Sequence, residues 1–364
     1  MLHRTIATLA GILRPELALS KSRVETLCMI VIGMVSARTV NLSHLACERP
    51  GAAQPASTYR RLQRFFQHVQ LEQDWALPFL VRLLGSSGSW HLALDRTQWQ
   101  VGRTEVNYLV LAVVTRRFRV PLIWHLIEGR GCSDTNARIA LIKRYLDHFP
   151  ATTIRMLLAD REFTGTAWLK FLKDNNIPFA VRLKESLRVT TEDGHDLTLR
   201  ARLCRAQRSR TFRARIGASE NAAASDAPLL DFVAKRLGDE WLIIATNVAP
   251  RAALEAYRKR WAIECLFGDT KTRGLNLEDT RLREPRKLSL LMALVALAIA
   301  WAGRTAADRL GRRNPPRKAH GYYAKSWFRI GFDHIRHRLR TDPLDAIAPW
   351  FRVATRPEAR CGVV

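Results

Sequence analysis

The feature that most constrains the fold is an ordered series of strand and helix patterns in the first half of the sequence. Three β-rich runs joined by short polar turns come first, at 90–95, 107–115 and 120–127. Helical and strand patterns then alternate, with helices at 134–149 and 166–175 and strands at 154–159 and 178–183. The order βββαβαβ predicts a mixed α/β sheet with helices on its faces, although other α/β folds begin in a similar way.

The charge of the chain indicates the class of its partner. There are 59 Lys and Arg residues against 33 Asp and Glu residues, which gives a net charge of +26. Only 11 of these cations are Lys and 48 are Arg, whose planar guanidinium suits phosphates and base edges. This balance argues against an ordinary metabolic enzyme and favours binding to nucleic acid.

Other classes of protein are disfavoured by three patterns. The longest apolar run, Leu290 to Gly303, has 14 residues, and a bilayer span needs roughly 18–20, so a core helix is expected. The N-terminal apolar stretch is interrupted by Arg14 and Glu16, which argues against a signal peptide. The six cysteines contain no C-x-x-C pair, so neither a zinc knuckle nor a disulfide framework is predicted. We therefore expect a cytoplasmic protein with no membrane partner.

The patterns outside the series predict the domain organisation. Residues 1–85 have helical patterns, residues 185–249 form a β-rich insertion, and helical patterns return at Pro250. The order of the elements is that of an RNase H-like domain. We expect an α/β fold with an RNase H-like catalytic domain at 86–310, flanked by a helical DNA-binding domain at 1–85 and a helical, basic C-terminal region at 311–364.

Two aspartates end predicted strands. Asp95 closes the first strand and Asp160 closes the fourth, and these strands are neighbours in an RNase H-like sheet. Two carboxylates that converge repel each other unless a cation lies between them, and hard oxygen ligands select Mg²⁺ or Mn²⁺. The alternative is that each aspartate only caps a turn or a helix.

A third acid lies in the helical pattern after Pro250. Tyr257, Arg260, Glu264 and Lys271 follow one another at i, i+3, i+7 and i+14, which places them on one stripe of a continuous helix. Asp269 lies off this stripe and is a poorer candidate than Glu264. A chain of surface ion pairs would explain the same spacing.

This spacing, after a β insertion and two strand-ending aspartates, resembles the DDE transposases of bacterial insertion sequences, and in particular the IS-four family with its Y-R-E-K signature. The resemblance implies that Asp95, Asp160 and Glu264 hold two Mg²⁺ ions, for which Mn²⁺ substitutes. It implies that the signature residues Tyr257, Arg260 and Lys271 grip phosphates near the cut.

The same resemblance implies a reaction and its partners. In relatives that cut through a DNA hairpin, a strand tryptophan of the insertion stacks on a flipped base, and Trp241 resembles that residue, although a core strand aromatic is the alternative. Trp261 follows Arg260 as in some relatives. The reaction implied is cut-and-paste transposition by a homodimer acting on double-stranded DNA, with terminal inverted repeats and target DNA as substrates.

Two basic segments outside the signature are candidates for DNA contact. The predicted helix after Pro55 carries Arg60, Arg61 and Arg64 on the face opposite its apolar residues, which suits either DNA docking or a solvated face. Residues 304–340 contain 11 Lys and Arg against two aspartates, together with Tyr322, Tyr323, Trp327 and Phe328. Basic and aromatic residues together suit a nucleic-acid surface, unless the aromatic side chains pack inward.

Two alternatives to a transposase stay open at this point. A transposase-derived regulator would bind DNA without cutting it, although all three acids and the signature are present. An RNase H-like nuclease would act on RNA:DNA hybrids or junctions, but the β insertion and its Trp241 argue against it.

Overall fold

The structure is a computed structural model that describes residues 1–85, 89–127, 131, 133–217, 227–319 and 321–354. The predicted start of the catalytic domain at 86 and the last ten residues of the C-terminal region lie outside the described residues. The α-helices described before the first strand are α1 (Leu2–Leu13), α2 (Lys21–Ala37), α3 (Leu42–Cys47), α4 (Pro55–His68) and α5 (Leu77–Leu84).

The predicted series of strands and helices is confirmed. Its elements are β1 (Trp90–Val101), β2 (Thr104–Val114), β3 (Arg119–Ile127), α6 (Thr135–His148), β4 (Ile154–Ala159), α7 (Thr166–Asp174) and β5 (Phe179–Leu183). Their order in the sheet is β3-β2-β1-β4-β5, with β2 antiparallel to β1 and to β3, and with β4 parallel to β1 and to β5. The first and fourth strands are therefore neighbours, as expected.

The β-rich insertion extends this sheet. It contains β6 (Arg188–Thr191), β7 (Asp196–Thr198), α8 (Leu199–Leu203), β8 (Ser209–Ile216), β9 (Leu229–Leu237) and β10 (Glu240–Thr246). β10 pairs antiparallel with β5, so a single ten-stranded sheet continues as β5-β10-β9-β8-β6-β7. The fold is a mixed α/β fold with one large sheet.

The α-helices described after β10 are α9 (Pro250–Tyr257), α10 (Trp261–Thr270), α11 (Pro285–Leu310), α12 (Trp327–Thr341), α13 (Pro343–Ala346) and α14 (Ala348–Ala354). α11 is long and apolar enough to cross a membrane, yet its run Leu290 to Gly303 is buried inside the protein. The prediction of a core helix is confirmed. Burial of so many apolar side chains is the main stabilising contribution that this helix makes.

α11 unites the two ends of the chain in one core. α2 and α5 pack on it from the N-terminal side, and α12 and α14 pack on it from the C-terminal side. α12 approaches so closely that a Cβ at Gly331 would overlap the carbonyl oxygen of Ala302. The thiols of Cys28, Cys47, Cys204 and Cys265 are free, whereas Cys132 and Cys361 lie outside the described residues.

Candidate active site

Asp95 and Asp160 lie at the point where β1 and β4 separate. The parallel pairing ends at Leu94 and Ala159, so the two aspartates are the next residues of each chain. The prediction that Asp95 closes its strand is wrong, because β1 continues to Val101 through its hairpin with β2. The predicted convergence of Asp95 and Asp160 requires only that β1 stops pairing with β4 at this point. That pairing does end directly before Asp95.

Arg260 lies between the three predicted metal ligands. Its Nη1 atom is 3.8 Å from a carboxylate oxygen of Asp95 and 3.8 Å from one of Asp160, and its Nη2 atom donates to Glu264 Oε1 at 2.5 Å. Only 11% of the Arg260 side chain is exposed. Three carboxylates from β1, from the end of β4 and from α10 therefore meet around one guanidinium.

The continuous helix predicted for the Y-R-E-K residues is wrong. α9 ends at Tyr257 and α10 begins at Trp261. The backbone between them is drawn into tighter i to i−3 hydrogen bonds, which run from Lys259, Arg260, Ala262 and Ile263. Because this linker stays right-handed and tight, Tyr257, Arg260 and Glu264 still face the same edge of the sheet, and the Tyr257 hydroxyl is 3.5 Å from Asp160 Oδ1.

Lys271 departs from the predicted stripe. It follows the last residue of α10 with non-helical φ and ψ of −90° and −136°. Its ammonium donates to the carbonyl oxygen of Gln98 at 2.7 Å and lies 3.0 Å from Glu278. Lys271 thus lies along the part of β1 that extends beyond Asp95, beside the three acids rather than among them.

Asp269 is separated from this site. It is buried near the end of α10, where Arg119, Arg273 and Arg329 surround it. Burial raises its pKa to about 6, against the effect of these three cations. The preference for Glu264 as the third acid agrees with this placement.

Burial changes the pKa of two groups of the site, Asp95 and Tyr257. It raises the pKa of Asp95 to about 6, and nearby Glu162 and Asp160 act in the same direction, while Arg260 and the backbone N–H of Arg96 oppose them. Burial also raises the pKa of Tyr257, so that residue is a neutral hydrogen-bond donor. A half-buried cluster of carboxylates of this kind requires a cation nearby.

An ion pair that was not predicted from the sequence lies next to the site. Arg96 follows Asp95, Glu162 comes two residues after Asp160, and the two side chains form a bidentate pair with distances of 2.7 and 2.9 Å. Arg138 of α6 also donates to the carbonyl oxygens of Thr164 and Glu162, at 3.0 and 3.1 Å. The pair joins β1, directly after Asp95, to the segment that follows β4. Its sequence signal was an arginine directly after Asp95 and a glutamate two residues after Asp160.

Two tryptophans lie at the same edge of the sheet, with different exposure. β5 is parallel to β4 and β10 is antiparallel to β5, so Trp241 at the start of β10 lies at the edge where Asp160 follows β4. Its side chain is half-buried against the core, and its backbone N–H donates to Glu185 Oε1 at 3.1 Å. Trp261, at the start of α10, is 62% exposed.

The arginines of α4 are not equivalent. Arg61 donates to Thr26 Oγ1 at 2.8 Å and to the Ser22 carbonyl oxygen at 3.0 Å, and both acceptors belong to α2. A role in packing α4 on α2 is therefore sufficient to explain Arg61. Arg60 and Arg64 are exposed, and their DNA contact stays a prediction.

The side chains of the acidic edge have the chemistry that a hard cation prefers, but their carboxylates are too far apart to bind one ion together. Carboxylate oxygens from three elements are the donors that Mg²⁺ and Mn²⁺ prefer. Among the described residues, however, no three acidic, histidine or cysteine side chains are close enough to share a metal ion. The guanidinium of Arg260 fills the space between the three acids instead.

The fold and this edge define a mixed α/β protein with an acidic site built where two parallel strands separate. Residues 86–301, more than half of the chain, match the family of transposase DDE domains. The chain belongs to this family and is a DDE transposase. A comparison with curated proteins finds no match.

Among solved structures, the chain is similar to piggyBac transposase in a cryo-EM structure of its synaptic complex with hairpin DNA. The sequence identity is 9% and the TM-score is 0.46, and the similarity covers 99% of this chain and 84% of the other. A likeness at this level carries no weight for the assignment of individual residues.

Proposed function

We propose that this DDE transposase catalyses metal-dependent cleavage and strand transfer at the ends of its own insertion sequence. The proposal includes an IS-four-like affiliation with an RNase H-like catalytic domain, a bacterial and cytoplasmic location at the nucleoid, and a cut-and-paste reaction with a DNA hairpin intermediate. Its DNA partners are the terminal inverted repeats and the target duplex.

The observation that supports this proposal best is the convergence of Asp95, Asp160 and Glu264 on Arg260. These acids are far apart in the sequence and come from separate elements, yet each has a carboxylate oxygen within 3.8 Å of the same guanidinium. A set of surface ion pairs would not require a buried strand, a strand end and a helix to contribute one acid each.

Asp95, Asp160 and Glu264 would hold the divalent ions. Such ions, when bound, activate the attacking hydroxyl and stabilise the leaving oxygen of an in-line displacement at phosphorus. A DNA phosphate offers Arg260 an alternative anionic partner. In this proposal, Arg260 therefore leaves the three acids when it binds the DNA. Lys271 would hold the DNA backbone beside the cut, and the Tyr257 hydroxyl would donate to a phosphate oxygen.

The hairpin route assigns roles to the two tryptophans. Stacking of an aromatic ring on an extruded base offsets part of the cost of unstacking it. Trp241 would receive the flipped base, and the exposed ring of Trp261 would contact DNA beside Arg260. Because two ends must be cut and joined together, a homodimer is proposed for the synaptic complex.

The test uses purified protein and a labelled duplex that carries the repeat flanking its gene. With Mg²⁺, we expect a nick followed by a slowly migrating hairpin species on a denaturing gel, and neither product with Glu264→Gln. Nicking without a hairpin would remove the base-flipping role of Trp241. Binding without cutting in either Mg²⁺ or Mn²⁺ would contradict the proposed activity and favour a DNA-binding regulator.

A further inference from the structure

The segment between α11 and α12 is an exposed, ordered loop with a high density of positive charge. Residues 309–332 contain seven Lys and Arg and no Asp or Glu. Within them, residues 312–325, here called the basic loop, are exposed at every described position except Pro315. Its cations are Arg312, Arg313, Arg317, Lys318 and Lys325.

The basic loop has a defined backbone conformation. The Ala324 N–H donates to the Pro316 carbonyl oxygen at 2.8 Å, and the Lys318 N–H donates to that of Tyr322 at 2.9 Å. Arg317 pairs with Tyr323 in an antiparallel bridge, and its guanidinium lies 5.2 Å from the centre of the Tyr323 ring. The segment thus doubles back on itself in a small hairpin-like turn.

The two ends of the loop are anchored in the core. α11 and α12 pack closely at Gly331, and the buried Trp327 and Phe328 follow directly after the loop. Arg329 of α12 donates to the carbonyl oxygen of Arg273 at 3.1 Å, two residues after Lys271. The loop is therefore held beside the end of the helix that carries Glu264.

The aromatic residues of this segment divide into two groups. Trp327 and Phe328 pack inward, whereas Tyr322 is 76% exposed and Tyr323 is 39% exposed. Exposed tyrosines among these cations are not explained by core packing. Lys325 pairs with Asp333 of α12 at 2.8 Å, whereas the other four cations of the loop form no salt bridge with a described carboxylate and are available to phosphates. A tyrosine hydroxyl can also donate to a phosphate oxygen.

We propose that the basic loop is a second DNA-binding surface, which contacts the phosphate backbone of duplex DNA away from the catalytic acids. The proposal rests on the proposed function in that DNA is the partner. The charge favours this partner, because four of the five loop cations form no salt bridge with a described acid and the chain has a net charge of +26. The contact is independent of base sequence and acts on affinity rather than on the cleavage step.

The test measures the binding of a fluorescent duplex by anisotropy over a series of salt concentrations, in the full chain and without divalent metal. The variant is Arg313→Gln/Lys318→Gln, since both side chains are exposed and neither forms the Arg317–Tyr323 contact. The control, Lys143→Gln/Arg251→Gln, removes the same charge from exposed positions on α6 and α9.

In a plot of the logarithm of the binding constant against the logarithm of the salt concentration, each lost phosphate contact makes the slope shallower by about 0.9. We therefore expect the slope of the loop variant to become shallower by about twice that value and the control to keep the wild-type slope. We also expect Tyr322→Phe to weaken binding by about tenfold with no change in slope, because it removes one hydrogen bond to a charged group. Unchanged thermal unfolding would show that each variant is folded.

Three outcomes would overturn the proposal: a wild-type slope in the loop variant, an equal loss in the control, or a change in oligomeric mass in place of a change in slope. Cleavage with Mg²⁺ by the same wild-type protein separates this proposal from the proposed function. If the wild-type protein cleaves DNA and the loop variant keeps the wild-type salt dependence of binding, only the second surface is refuted. A reduced loop slope with no cleavage in Mg²⁺ or Mn²⁺ would refute only the transposition activity.

Discussion

Arginine has opposite surroundings at the acidic edge and in the basic loop. At the edge, Arg260 is 11% exposed and is neutralised by three carboxylates from three elements. In the loop, Arg312 and Arg313 are exposed in a stretch without any acid. The same residue type thus balances charge within the fold in one region and leaves charge available for a partner in the other. Both uses contribute to the excess of arginine in the sequence.

The sharpest way to separate the two regions is to remove one acid of the edge. We expect Asp160→Asn to reduce cleavage by more than about 10²-fold, since stabilisation by a bound metal is worth several kcal/mol. Affinity for duplex DNA should stay at the wild-type level, because the basic loop is unchanged. Cleavage is followed on a denaturing gel and binding by anisotropy, and retained cleavage would exclude Asp160 as a metal ligand.

A second comparison removes the cation from the acids. We expect Arg260→Gln to lower the free energy of unfolding without metal, because three carboxylates then lack a cation. Solvent screens part of their repulsion, so the expected loss is about 1–3 kcal/mol. Mg²⁺ should raise the melting temperature more in this variant than in the wild type, since the ion no longer competes with the guanidinium. Arg251→Gln, at an exposed position, is the control. Equal metal shifts in the wild type and Arg260→Gln would argue against a shared cation position.

The two tryptophans provide a smaller contrast between burial and exposure. Trp261→Ala should reduce affinity for single-stranded or hairpin-ended DNA by about tenfold, as expected for one base stack, without changing stability. Trp241→Ala should reduce both affinity and melting temperature, because its ring packs on the core. Thermal unfolding and anisotropy measured on the same samples distinguish the two. A loss of stability in Trp241→Ala with unchanged binding would leave Trp241 as a core residue only.

The last expected effect is confined to acidic pH and concerns a histidine on β1. His91 is buried, its ring lies 3.1 Å from the Lys259 ammonium, and burial together with Lys259 and Arg155 lowers its pKa from 6.5 to about 4. The unfolded chain therefore binds a proton between these values while the folded chain does not, so stability falls as the pH falls from 6.5 to 4. We expect His91→Gln to flatten this part of the profile by about 1–3 kcal/mol in chemical denaturation. Parallel profiles for the two proteins would contradict the assignment.

Much of the fold was predictable from local patterns. The strands and helices between 90 and 183 were found because apolar runs, helical periodicity and polar turns alternate there without ambiguity. The pairing of β1 with β4 was also predicted. The continuation of β1 to Val101 was not, because that extension depends on the partner strand β2 rather than on the residues of β1 alone.

The sequence predicted which residues lie at the site better than it predicted how they are arranged. The spacing of Tyr257, Arg260 and Glu264 identified residues that do come together with the two aspartates. The break between α9 and α10 has no glycine or proline to mark it, so the sequence predicts one helix where there are two. The placement of Lys271 beside Gln98, and of Arg61 against α2, depends on tertiary partners that no local pattern contains.

The domain limits at 86, 185, 249 and 311 stay predictions. The described helices at both ends of the chain share one apolar core around α11, so burial alone does not divide them from the sheet. The assignment of a DNA-binding role to residues 1–85 depends on Arg60 and Arg64, whose exposure is compatible with it.

The joining of β10 to β5 has a mechanical consequence. A sheet held by successive backbone hydrogen bonds resists shear and hinge motion, so the insertion and the acidic edge behave as parts of a single stiff plate. The distance between Trp241 and Asp160 is then fixed by the sheet and does not adjust to the substrate. Under the proposed hairpin route, a nucleic acid that engages both points would have to supply the deformation itself, by bending and by unstacking a base, and its own flexibility would then help to decide where the enzyme acts.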